Sequence, residues 1–345
     1  MKEFLQYLLL AFVSILILNG CSSTKFVPDN QYLLDKVEII SDNKDFKPSE
    51  LRDYLQQRPN FKVFGLMKWQ LYLYNWSGKN EKNWFNKQFR RMGEAPVIMD
   101  TALIAASEKE LQLFLVNKGY INAQVSHSID TSKYKKANVT YTIQSNTPYR
   151  IRDYQMRLND PAIDSIAHIK PRKRSWLSNA FHTSSDDYTS LIQDSCLFDR
   201  DMLDQERDRI TKLLRYRGYY GFNKEYLTYL ADSSFQKNVV DLEMYLKPYR
   251  KLLPDGNIQE MPHRPYYLNK ITILSDYDPL KPESENALQL TDTLQQGPIE
   301  IVYGKNGRFI RPSVLARSVY LMPGRLYNER SVEQTYSSFA RLRAL

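Results

Sequence analysis

One stretch of this chain recurs at an offset of 99 residues, and that repeat constrains the fold more than any other feature. Glu108–Ile143 reads as a helical stretch ending at Gly119–Tyr120, an alternating run, a loop, and a second alternating run. Arg207–Leu246 reads the same way, with Gly218–Tyr219 in place of Gly119–Tyr120. Upstream, Asp100 falls on Asp199, Leu111 on Ile210, and Phe114–Leu115 on Leu213–Leu214. Each copy is therefore a small domain with its own core. A chain of 345 residues has room for roughly two to four such domains.

The second copy shows why the pattern folds. Asp199 stands before a helical run, where a carboxylate can cap free N–H groups. Leu203, Ile210, Leu213 and Leu214 recur at helical spacing and make one apolar stripe. Gly218 stops the helix, because that place wants a residue at ease with positive φ. Tyr226, Thr228 and Leu230 alternate with Leu227 and Tyr229 as a strand does, Asp232–Ser234 reads as a turn, and Val239–Leu246 is a second strand with one apolar face. A strand precedes each copy: Leu34–Ile40 before the first and Tyr149–Leu158 before the second. A first helix follows each strand, Pro48–Gln57 in the first copy and either the Pro161–Ile169 region or Tyr188–Asp194 in the second. The expected order is β-α-α-β-β, an α+β fold in tandem.

A third copy begins. Tyr267–Leu274 is its strand, Arg311–Tyr320 its first helix, and Asn328 takes the place of Asp199. Val332, Phe339 and Leu342 continue the stripe, and Leu345 falls short of the expected helix-ending glycine. The third unit is expected to be incomplete, with no strands against which to pack that stripe. The chain then reads as the front part of a longer protein.

The first residues read as an address. Phe4–Leu18 is apolar except for Gln6 and Ser14. At 1.5 Å per residue such a run makes about 22 Å of helix, short of a ~30 Å bilayer core, so it fits a signal-peptide core better than a membrane span. Leu18–Asn19–Gly20–Cys21 closes the run and resembles the lipobox of bacterial lipoproteins, which implies cleavage before Cys21 and acylation there. Asn19 departs from the usual small or hydroxyl residue. Two or three acyl chains hold a protein stably on a bilayer, whereas one does not. With no Asp after the cysteine, the resemblance points to the outer membrane, with the soluble part facing the periplasm.

The order β-α-α-β-β, with Asn117–Lys118–Gly119–Tyr120 and Arg217–Gly218–Tyr219–Tyr220 leading into the hairpins, resembles the POTRA domains of the outer-membrane-protein assembly superfamily, the BamA and TamA type. Phe64–Gly65, Trp69, Leu73–Tyr74–Asn75 and Gly93–Val97, together with Cys21, are most similar to the lipid-anchored TamA relatives of Bacteroidetes, the TamL group. The resemblance implies a periplasmic scaffold that receives outer-membrane client proteins, or an inner-membrane partner, by adding their strands to its sheet edges. It also implies a signal peptide over 1–20, a tether and first domain over 21–148, a second domain over 149–250, a linker over 251–265 and the start of a third domain over 266–345. A lipid-anchored adaptor that binds cell wall or another envelope protein, without handling clients, is the alternative. No barrel strands occur in the sequence, although the superfamily carries a membrane barrel.

Other features weigh less. His127, His168, His182 and His263 lack metal-ligand spacing, and Gly304–Gly307 lacks the Lys-Ser/Thr ending of a phosphate loop and reads as a hairpin turn. Neither catalysis nor a cofactor or metal is expected. The net charge of +9 suits an anionic surface, and no nucleic-acid motif accompanies it. Lys170–Arg174, with Trp176 and Phe181, reads as an exposed insertion loop or as a surface that docks on lipid head groups or a partner. Phe61–Trp76, rich in Trp and Tyr, is either extra packing of the first domain or an exposed contact patch. With Cys21 acylated, Cys196 is a lone thiol, read as a small buried apolar residue.

Overall fold

The computed structural model describes residues 23–63, 65, 67–78, 80, 82–168, 189–234, 237–275, 280, 290–304, 307–308 and 310–342. The chain divides into two compact units, Met1–Tyr149 and Arg150–Leu345.

In the first unit, β1 is Leu33–Ser41 and α1 is Pro48–Leu51, continued by a 3-10 turn over Arg52–Tyr54. Two further helices follow, α2 (Trp69–Trp76) and α3 (Trp84–Met92), then the long α4 (Thr101–Asn117) and the hairpin β2 (Gln124–Asp130) and β3 (Lys136–Gln144). The sheet order is β1-β3-β2, with β3 parallel to β1 and antiparallel to β2. The central strand alternates cleanly: Ala137, Val139, Tyr141 and Ile143 are buried, while Asn138, Thr140 and Thr142 face the other way. The buried face meets Leu111, Phe114 and Leu115 of α4. α1 is shorter than the Pro48–Gln57 helix expected, because the chain turns extended at Leu55 to bring the Gln56 N–H to α4.

The second unit begins with the same plan. β4 is Arg150–Arg157, α5 Pro161–Ala167, α6 Arg200–Arg215, β5 Leu227–Ser234 and β6 Val239–Leu246, in the sheet order β4-β6-β5. Of the two places offered for the first helix, Pro161–Ala167 is the helix. Asp160 caps it and Pro161 opens it, while 189–194 is irregular. β5 runs through Ser234, past the expected turn. The first strands of both copies carry a register shift at the same place, Leu34/Lys36 and Ile151/Asp153. The stretch read as a linker holds most of a two-stranded hairpin, β7 (Tyr249–Leu252) with β8 (Ile258–Met261).

The rest of the second unit departs from the expected order. After β9 (Ile271–Leu274) come the strands β10 (Leu290–Gln296) and β11 (Ile299–Gly304), and only then α7 (Pro312–Arg317) and α8 (Glu329–Arg341). β11 lies parallel to β9 and antiparallel to β10, so a hairpin ahead of the helices builds the same mixed sheet. Ile299, Ile301 and Tyr303 on its inner face pack with Leu315, Phe339 and Leu342. The stripe expected to lack strands is thus covered from upstream. The hairpin turn is at Gly297, with φ +60°; Gly304 ends β11 and Gly307 follows it, so Gly304–Gly307 is not the hairpin turn expected there, and Lys305 and Asn306 lie outside the described residues.

Candidate functional site

The second helix of each copy carries a device that recurs three times. Asp100, Asp199 and Asn328 cap α4, α6 and α8, each accepting a backbone N–H of the first turn. Two residues before each cap, Ile98 and Leu197 bridge Leu33 and Arg150 at the starts of β1 and β4, and Leu326 bridges Tyr267, four residues ahead of β9 and so short of the strand expected to begin at Tyr267. Seven residues after each cap a buried polar side chain receives a backbone N–H from the chain that precedes the helix. Ser107 Oγ accepts from Gln56 at 2.9 Å, a Glu206 carboxylate oxygen from Leu191 at 3.0 Å, and Thr335 Oγ1 from Tyr320 at 3.0 Å. Ser107 and Thr335 donate in turn to the carbonyls of Leu103 and Ser331. Glu206 has no proton to donate; Arg209 answers it through two bonds of 2.8 and 2.7 Å, both side chains being buried.

The helices end as the sequence implied, at Gly119 (φ +91°) and Gly218 (φ +101°). Each glycine carbonyl then accepts the N–H of the tyrosine leading onward, Tyr149 in one case and Tyr266 in the other, both at 2.8 Å. Around Gly218 the joint to the third sheet is dense. Asn328 Nδ2 donates to the Tyr216 carbonyl at 2.9 Å, Arg215 pairs with Glu329 at 2.8 Å, and Tyr220 meets Tyr327 edge-on at 4.9 Å.

The sheet edges are unequal. The β1 edge is engaged at its start, where Leu34 N–H donates to Val97 and Met99 N–H donates to Tyr32; on β4, Ile151 bonds both Ser195 and Cys196. β2 and β5 have no neighbouring strand on their far side among the described residues. The Gln112 carboxamide takes the Ala123 carbonyl and the Val125 N–H, as a neighbouring strand would. Because N–H and C=O directions alternate along an antiparallel strand, His127 and Ile129 present theirs to the same open side.

The aromatic segment Phe61–Trp76 supplies α2, the first arm of a helical hairpin that α3 completes. Leu71 is fully buried with Val27 and Leu33. Lys68, just before α2, reaches Asp35 on β1, bonding both its carbonyl and its carboxylate at 2.8 Å. Burial pushes the Lys68 ammonium below the usual lysine range, against the pull of Asp35. Burial alone would raise the Asp35 carboxyl, but Lys68, with Lys136 and Lys62 behind it, holds it below the carboxylate range. Gly93 lets α3 end against α2: a Cβ there would lie 2.5 Å from Tyr74 N and 2.8 Å from Gln70 O. The other side is open, and Trp69, Trp76, Trp84, Phe85 and Met92 are exposed. Extra packing and exposed patch are thus two faces of one element.

Residues 32–146 match the family model for POTRA, described as a surface antigen variable number repeat. The matched stretch, a third of the chain, is similar to a POTRA domain. Solved structures overlap it at low scores. The BamA POTRA3-5 structure from Haemophilus influenzae is 12% identical, with a TM-score of 0.36 over 92% of this chain and 89% of that one. The N-terminal domain of Omp85 from the thermophilic cyanobacterium Thermosynechococcus elongatus is 10% identical, with a TM-score of 0.28 over 91% and 87%. Comparison with curated proteins gives no match.

The remaining sequence candidates scatter. His127 pairs with Glu108, His168 Nδ1 lies 3.0 Å from the Asp164 carbonyl, and His263 Nε2 lies 2.9 Å from the Lys247 carbonyl. The cleft around His263 measures about 80 Å³, well under the ~300 Å³ of a small-molecule site. No group of three potential metal ligands forms among the described residues. Cys196 is half-buried beside Ile192 and Leu203. No helix among the described residues is long and apolar enough to cross a membrane. Cys21, His182 and the Lys170–Arg174 run with Trp176 and Phe181 lie outside the described residues.

Proposed function

We propose that this chain is a periplasmic POTRA scaffold of an outer-membrane protein assembly or translocation factor, tethered to the outer membrane through acylated Cys21, its leader having been removed before that residue. Its domains receive client proteins, or an inner-membrane partner, by β-augmentation. Backbone hydrogen bonds provide the grip, so little is asked of the client's sequence. The observation that carries this reading is the open β2 edge, where Gln112 already mimics an added strand at Ala123 and Val125 while no strand among the described residues claims the backbone groups of His127 and Ile129. β5 offers the corresponding edge in the second domain.

Site-specific photocrosslinking from Ser128 and Leu230 in cells should capture outer-membrane proteins or an inner-membrane partner. Ile129→Pro, which removes an outward N–H and spares the β2–β3 ladder, should abolish the Ser128 crosslink. Crosslinks that persist in Ile129→Pro would overturn the β-augmentation reading. Crosslinking to cell wall or to one fixed envelope protein alone would make the chain an adaptor. Labelling with an alkyne fatty acid should mark the wild type and not Cys21→Ala; equal labelling would remove the anchor.

A further inference from the structure

We propose that the α2–α3 hairpin lies on an anionic phospholipid surface, with Trp84, Phe85 and Met92 dipping into the boundary between head groups and acyl chains. This rests on the reading of Cys21 as a lipid anchor and extends it. The anchor would hold the chain at the membrane, and the hairpin would fix which side of the first domain faces it.

Covalent geometry makes the first link. Lys25 Nζ donates to the carbonyls of Asn75 and Ser77, both at 2.9 Å, at the C-terminal end of α2. Phe26 packs edge-on against Tyr74, and Arg90 of α3 lies over both rings at 5.2 and 5.6 Å. Three residues, Ser22, Ser23 and Thr24, separate Cys21 from Lys25, a Cα–Cα reach of at most about 14 Å when fully extended. An acyl chain on Cys21 therefore cannot enter a bilayer without bringing this hairpin to the surface.

The hairpin has the composition for that place. No residue of α3 is buried. Phe85, Phe89 and Met92 recur at i, i+4 and i+7, so they share a face, and Trp84 adjoins Phe85 at 4.8 Å. Phe89 continues the apolar surface onto Trp76, and Trp76 onto Trp69. Trp84 and Phe85 are 68% and 64% exposed, a cost in water that an interface removes. Lys82, Lys87 and Arg91 are exposed around this face. Residues 61–92 carry seven basic side chains against one acidic; Lys68 is buried against Asp35, and the other six give a charge that matches anionic head groups. A client strand finds no sheet edge here, which separates this surface from the β2 edge.

The test uses the acyl-free chain from Ser22 onward in a Trp176→Phe background, which leaves Trp69, Trp76 and Trp84 as the only indoles. It is mixed with vesicles of phosphatidylethanolamine and phosphatidylglycerol whose acyl chains are brominated. Quenching of tryptophan emission and co-sedimentation are expected, with neither on phosphatidylcholine alone. Trp84→Ser/Phe85→Ser/Met92→Ser should bind about tenfold more weakly with an unchanged melting curve. Lys87→Glu/Arg91→Glu, which leaves the apolar face intact, should also weaken binding. No quenching, equal binding by the triple variant, or Trp84-dependent dimerisation in place of vesicle binding would overturn the proposal. Fatty-acid labelling of Cys21 in the full chain is read separately. Label without vesicle binding removes the hairpin site alone, and vesicle binding without label keeps the hairpin site and removes the anchor.

Discussion

Ser107 in the first domain and Glu206 in the second stand at the same position of the same helix and receive the same kind of N–H, yet they are supported differently. Ser107 needs nothing else, because its hydroxyl turns back to the Leu103 carbonyl. Glu206 is an anion in the interior and requires Arg209 beside it, with Ser190 Oγ as a third donor at 2.9 Å. The surrounding cores follow suit. Behind α4 the first domain buries one cluster through Leu111, Tyr141 and Ile143, apart from the small Val27–Leu33–Leu71 cluster beside α2. The second divides into two clusters, bridged by Tyr154 and Tyr229. The place of the insertion also differs. In the first domain Gln56 docks directly after the short first helix and the α2–α3 hairpin is inserted later, whereas in the second the long segment comes before Leu191. A carboxylate accepts from several donors at once, so it can fasten a returning loop at both Ser190 and Leu191. The difference teaches that the docking point, and not its chemistry, is the fixed feature of the domain.

The comparison breaks most sharply at Glu206. Glu206→Ala strands a buried guanidinium and should destabilise the second domain by about 3–5 kcal/mol. Urea unfolding followed by domain-resolved hydrogen exchange reads this, and Glu206→Ala/Arg209→Met should recover much of the loss. Gly218→Val comes next, at roughly 2–3 kcal/mol, because positive φ adds to overlap with Leu326 and Pro265, whose nearest atoms would be 2.9 and 3.0 Å from a Cβ. Gly119→Val should cost more than about 1 kcal/mol. Equal melting curves for both variants and wild type would refute positive φ as the reason for glycine. Ser107→Ala leaves the Gln56 N–H unpaired and should cost about 1–2 kcal/mol, with faster exchange at Gln56 as its mark.

The smallest effect belongs to Asp42, at the end of β1. Hydrogen bonds from the Ser145 hydroxyl and N–H hold its carboxyl below the usual range. Its folded-state pKa is depressed, so its contribution is complete above the unfolded value of about 3.9 and is lost as pH falls through the folded value. Asp42→Asn should flatten stability of the first domain below about pH 4 relative to wild type. An unchanged acid limb in thermal melts would assign that limb to other carboxylates.

Much of this was legible in the sequence, for a local reason. Capping by Asp100, Asp199 and Asn328 and termination at Gly119 and Gly218 depend only on a few neighbouring backbone groups, and they stand where the repeat placed them. The alternation in β3 and β6 likewise announced which side chains turn inward. The β10–β11 hairpin was written in the same alphabet, with Gly297 between runs whose inward residues are Ile299, Ile301 and Tyr303. It was missed because chain order suggested that strands would follow the helices. An apolar stripe specifies that something must cover it, without specifying from which side of the sequence the cover arrives.

What only the tertiary structure decided are the meetings of distant segments. Lys68 with Asp35 and Gln112 with the β2 edge are invisible to periodicity, since a charged or amide residue in a helical run reads as solvent-facing. Glu206 and Arg209 stand three residues apart on α6, and only burial turns them into the fastening of a loop. Sequence determined the conformation of each element because that energy is local. The structure decided the order of strands, the open edge and the exposed aromatic face, because those depend on which surfaces exclude water from one another.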